Sequence, residues 1–180
     1  MTSNSPDEKQ ADAEEEHRQF VDTMFSCYGI EKHPGYFPIT IRPLLSAGGL
    51  GHATIYLCDD LDPKRLPYVI WHESSHYLHR IVNPALFAIP EEKREFFLAV
   101  AACEMIAELA ALLYLKSYAD LAPATLIAHS IGNGMNDALE DREIDALIKI
   151  ARTSDQILEE LVSLDGAAVV KRVCSYSGSG

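Results

Sequence analysis

The stretch Trp71-His72-Glu73-Ser74-Ser75-His76-Tyr77-Leu78-His79 constrains this chain more than any other. Residues four apart on a helix share a face, so His72 and His76 can offer two imidazoles to one metal ion. Glu73 then presents a carboxylate to whatever occupies the open coordination position, the arrangement of zinc-assisted hydrolysis with glutamate as general base. The flanks favour a helix. Asp62 is a suitable N-cap, Pro63 suits the first helical position, and Asn83-Pro84 is a stop. The expected helix runs from about Asp62 to Val82 and carries the motif in its interior.

A zinc site that does chemistry needs a third protein ligand and an open fourth position. The next helix, expected over Glu91–Tyr118, is rich in alanine and leucine and carries Glu104 and Glu108 one turn apart. A helix apolar on nearly all sides is a buried one. Carboxylates within it need partners, because an unpaired buried carboxylate is costly. A metal with its histidine shell would supply them, and the residues alone leave both glutamates as candidates. His79 shares the histidine face, but it lies about 10 Å from His72 along the axis, so one ion cannot bind all three. It is expected to be a structural or rim residue.

The rest of the chain reads as one domain. Its 180 residues suffice for a single core, and its 48% hydrophobic and 23% charged content is ordinary for a globular protein. A net charge of −12 argues against nucleic acid or an anionic membrane surface as the main partner. No signal-peptide core opens the sequence, no apolar run is expected to approach the length needed to cross a bilayer, and the apolar helix over Glu91–Tyr118 is interrupted by too much charge to span one. Cys27, Cys58, Cys103 and Cys174 show no paired spacing and read as reduced thiols, so a cytoplasmic protein is expected.

Residues 1–10 are expected to be disordered, 11–170 to form the domain, and 171–180 to be a flexible tail. A first helix is expected over Ala11–Tyr28, stopped by Gly29, with Glu14, Glu15 and Glu16 as a solvated face. Two strands are expected at Phe37–Leu45 and His52–Cys58, with Gly48-Gly49 turning one back on the other. Pro38 and Pro43 push the first strand to an edge. Residues 136–164 read as one or two amphipathic helices. The expected fold is α+β: a short mixed sheet, an active-site helix packed on a buried glutamate helix, and a helical C-terminal part.

His-Glu-Ser-Ser-His-Tyr-Leu-His followed by Glu-Met-Ile-Ala-Glu-Leu-Ala-Ala-Leu-Leu resembles the gluzincin metallopeptidases, above all the minigluzincins and the ImmA/IrrE-type peptidases. The resemblance spans about residues 52–118. It implies a zincin-like domain that holds one Zn2+ per chain through His72, His76 and Glu104. Peptide bonds would be hydrolysed by a metal-activated water with Glu73 as base, and Glu108 would orient a histidine ligand from behind. It also implies that the strand His52–Cys58 edges the cleft and binds an extended peptide by strand addition. The chain departs from the pattern with Glu at 108, where Asp or Asn is common, and with His79 one position early. Which glutamate is the third ligand therefore stays open.

Tyr77, Tyr114, Tyr118 and His129 are candidates for transition-state stabilisation, with His129 and Tyr114 foremost. Cys174 is a candidate latency ligand, a tail thiolate filling the open zinc position. The expected partner is a peptide or protein substrate. The rival expectation is a catalytically inactive zincin-fold interaction or regulatory protein. Its acidic helices and apolar helix would suit partner binding or a homo-oligomer.

Overall fold

The computed structural model describes residues 6–46, 48–51, 53–118, 121–122, 124–126 and 139–176, and these form an α+β fold. Helix α1 covers Pro6–Met24 and tightens into a 3-10 turn, Phe25–Tyr28, which Gly29 ends in the left-handed region at φ 66°. Residues 6–10, expected to be disordered, belong to α1 and are tied down. Lys9 Nζ donates to the carbonyls of Cys58 and Asp59 at 3.1 and 2.7 Å, and Gln10 Nε2 to that of Ile39 at 2.6 Å.

Three strands follow: β1 (Ile39–Arg42), β2 (Gly48–Leu50) and β3 (Ile55–Cys58), in spatial order β1-β3-β2. β1 pairs with β3 in parallel, Ile39 opposite Ile55 and Arg42 opposite Cys58. β2 pairs with β3 antiparallel, Gly48 opposite Leu57. Two expectations are corrected here. Gly48-Gly49 is a strand rather than a turn, and the chain reverses after it, where Gly51 N–H donates to Thr54 O at 2.8 Å. The strand at 55–58 is the central one, so the sheet edge beside the motif is β2. The first strand does lie at an edge, where its flanking prolines are tolerated.

Helix α2 (Leu66–Val82) follows a 3-10 turn, Pro63–Arg65, in which the Asp62 side chain accepts from Lys64 N–H at 2.9 Å. Asn83 closes it, its side chain donating to Leu164 O at 3.1 Å. Helix α3 (Glu95–Tyr118) starts four residues later than expected, after a turn in which Lys93 N–H meets Pro90 O. The expectation that no apolar run reaches membrane-spanning length is corrected here: Glu95–Ser117 is long and apolar enough, yet 67% of its apolar 18-residue window is buried within the fold. Ala102, Met105, Ile106, Ala107 and Leu109–Leu112 are fully enclosed. The apolarity of α3 is that of a core helix packed on by its neighbours.

Helices α4 (Asp141–Thr153), α5 (Ile157–Leu161) and α6 (Gly166–Cys174) close the far side of α3. At Gly166 an added Cβ would come within 2.8 Å of the Leu98 backbone, so α6 starts directly against α3. Residues 171–174, expected in a flexible tail, are helical, with Val173 fully buried.

Candidate metal centre

α2 is fixed from behind by α1. Trp71 Nε1–H donates to Glu16 Oε2 at 3.0 Å, His17 Nδ1 shares a hydrogen bond with Ser74 Oγ at 2.7 Å, and Tyr28 is bonded to Ser75 Oγ. The two serines inside the motif are thus the residues that dock its back face. Glu16, expected on a solvated face, is partly buried, and burial raises its carboxyl despite the Trp71 bond. Its signal in the sequence was weak, because three successive glutamates look alike until a partner is known.

The front face of α2 carries His72 and His76 toward α3. Their Nε2 atoms approach to 3.0 Å. Glu104 Oε2 lies 3.2 Å from His72 Nε2, and Glu104 Oε1 lies 3.5 Å from His76 Nε2. One donor atom from each of these residues falls within 4.8 Å of the other two. Glu108, one turn further along α3, sits on the other edge of the ring, with Oε1 3.2 Å from His72 Nδ1. With a metal ion present, a His72 that gives Nδ1–H to Glu108 would leave its Nε2 lone pair for the ion.

Three acidic side chains, Glu73, Glu104 and Glu108, surround these two histidines, and none is paired with Lys or Arg among the described residues. Burial pushes Glu73 up to about 7, with the Glu104 charge adding to the rise and His72 opposing it. Burial alone pushes Glu108 up to about 8, and its Oε2 is enclosed without a hydrogen-bond partner. Burial also works against ionising Glu104, but the two imidazole rings beside it outweigh that and hold its carboxyl well below the usual range. Converging lone pairs and buried carboxylates without a cationic side chain form a donor set that fits a divalent metal ion. Two nitrogens and a carboxylate suit zinc.

The centre opens into a cleft of about 380 Å³ between β2 on one side and α3 on the other, with Leu86, Phe87 and Ile89 from the α2–α3 connection along its rim. β2 passes so close to α2 that a Cβ on Gly48 would lie 2.8 Å from Val69 Cγ1 and 3.3 Å from Glu73 Oε1. A glycine inside a strand often marks such a close approach, and that is the signal that the turn reading overlooked.

Other expected site residues lie elsewhere. Tyr114 is core, its ring 4.0 Å from that of Trp71 and 5.5 Å from that of Phe20. Tyr77 points away from the cleft and donates to the carbonyls of Pro34 and Gly35. His79 is fully buried and edge-on to Phe87, a structural residue. Cys174 does not line the cleft; its charged neighbours are Glu143, Arg142 and Glu140 around the start of α4, so it is no latency ligand in this fold. His129, like the side chain of Tyr118, falls outside the described residues. Arg80, which no motif reading singled out, does line the cleft. Its signal was its spacing, one turn beyond His76 on the same face.

Comparison of the chain with known protein families, with curated proteins and with solved structures finds no match.

Proposed function

We propose that the protein is a zinc-dependent metallopeptidase of the gluzincin type, with His72, His76 and Glu104 as metal ligands and Glu73 as general base. The observation that carries this reading is the convergence of those three ligands beside a buried Glu73 that opens onto a cleft. A zinc ion held there would polarise both a water molecule and the scissile carbonyl. Glu73 takes a proton from that water at its carboxylate as the water oxygen adds to the carbonyl carbon. It then gives the proton to the amide nitrogen as the C–N bond breaks, leaving a carboxylic acid and an amine. Glu108 holds His72 in one orientation.

Substrate is held along β2. The outer side of this strand is the sheet edge beside the cleft, and its main chain can pair with an extended peptide. None of the four cysteines forms a disulfide, which fits action in the reducing cytoplasm.

The test is cleavage of a denatured protein or peptide mixture by zinc-loaded chain, read by mass spectrometry, with Glu73→Gln alongside. New termini with the wild type and none with the variant, at equal zinc content, are expected. Equal cleavage by both would overturn the mechanism. Zinc-loaded but inert wild type would favour the rival reading of an inactive zincin-fold interaction protein.

A further inference from the structure

Arg80 follows His72 and His76 at successive four-residue steps on α2, so its side chain leaves the same helical face and lines the same cleft. The guanidinium is held rather than free to swing. Nη1–H donates to Gly51 O at 3.1 Å, at the end of β2, and the group stands over the Phe87 ring at 5.4 Å. Counted over the described residues, that one carbonyl leaves most of its five donors unused. Among the described residues it has no carboxylate partner. The chain has 27 acidic residues against 15 basic ones, so a basic group in a cleft that meets no acid among the described residues is poised for an acid from elsewhere.

We propose that Arg80 is a specificity residue that binds a carboxylate of the substrate peptide. The inference rests on the hydrolytic reading above. Four residues of helix place Arg80 about 6 Å beyond His76 along the axis. An extended peptide advances about 3.3 Å per residue. A substrate paired along β2 therefore brings the residue about two positions from its scissile bond to the guanidinium. The Gly51 bond leaves Nε and Nη2 as a fork, and a fork of this kind pairs with both oxygens of a carboxylate. The carboxylate is that of an Asp or Glu side chain or of the peptide C-terminus; both present the same two oxygens.

The experiment measures kcat/KM of zinc-loaded chain on a matched peptide series. The series carries Asp or Asn at each position up to three residues either side of the cleaved bond, each with a free or amidated C-terminus. Wild type is expected to favour the carboxylate at one position, and Arg80→Gln to lower the acidic-to-neutral ratio there about ten- to a hundredfold. Arg80→Lys keeps the charge without the fork and should restore part of that ratio. The Asp and amidation arms tell a side-chain carboxylate from a terminal one. Cleavage with no acidic preference, or an equal fall on acidic and neutral peptides in Arg80→Gln, overturns the assignment and leaves hydrolysis standing. If no peptide is cleaved, the hydrolytic reading fails, and calorimetry with the same peptides on zinc-loaded chain judges Arg80 alone. Tighter binding of the carboxylate peptide that Arg80→Gln abolishes sustains the assignment; equal or absent binding overturns it.

Discussion

Glu108 approaches His72 from the side opposite Glu104, its Oε1 3.2 Å from Nδ1, while Glu104 lies against Nε2. The two glutamates are one turn apart on α3, yet they face different edges of one imidazole.

That geometry separates their roles by experiment. If Glu104 holds the metal as proposed, Glu104→Ala should abolish tight zinc binding. On the same proposal Glu108→Ala leaves the three ligands in place and should weaken zinc about ten- to a hundredfold, the loss expected for a carboxylate behind a ligating histidine. Chelator competition titrations on both variants check the ranking. The reverse order would make Glu108 the ligand.

The approach of β2 to α2 makes two neighbouring glycines unequal. A Cβ at Gly48 meets Val69 and the Glu73 carboxylate, whereas one at Gly49 meets nothing within 4 Å. Gly48→Ala should cost about 1–3 kcal/mol in stability through overpacking, and Gly49→Ala far less. Thermal unfolding of the two variants beside wild type measures the difference. Equal losses would mean that the strand does not run against the helix as described.

His17 gives the fold an acid-sensitive joint. It is buried between α1 and α2, its Nε2 accepting from Phe37 N–H at 3.0 Å. Burial, helped by Arg18 and opposed by Asp22, lowers its pKa to about 4 from the ordinary 6.5. The unfolded chain binds this proton more readily, so the contribution of neutral His17 is complete above pH 6.5 and is lost as the pH falls toward 4. Over that window the loss is about 3 kcal/mol. Denaturant unfolding of wild type and His17→Gln should give stability curves that converge between pH 6.5 and 4.5. Parallel curves would contradict the burial of a neutral histidine.

The parts of the centre that the sequence discloses are those set by helical periodicity. His72 and His76, with Glu73 beside the first, and Glu104 and Glu108 follow from four-residue spacing on two helices that capping and apolar content announce. The side of the ring that each glutamate faces does not follow, because it depends on the relative rotation of α2 and α3, which neither helix encodes alone. The sheet was harder to read. Its register rests on a three-residue strand containing two glycines, whose local preference is for turns and whose strand state comes from pairing with Gly48 opposite Leu57 and from packing on Val69. Tyr114 and Cys174 carry reactive groups, but their surroundings are long-range: Trp71 and Phe20 for the first, the start of α4 for the second.

Metal content tests the central claim most directly. Purified wild type, His76→Ala and Glu104→Ala, each shown to be folded by circular dichroism, are loaded with zinc, freed of excess and assayed by elemental analysis. About one zinc per chain is expected in the wild type, with loss in both variants. Folded wild type that cannot be loaded, or variants that keep the metal, would contradict a centre built from His72, His76 and Glu104.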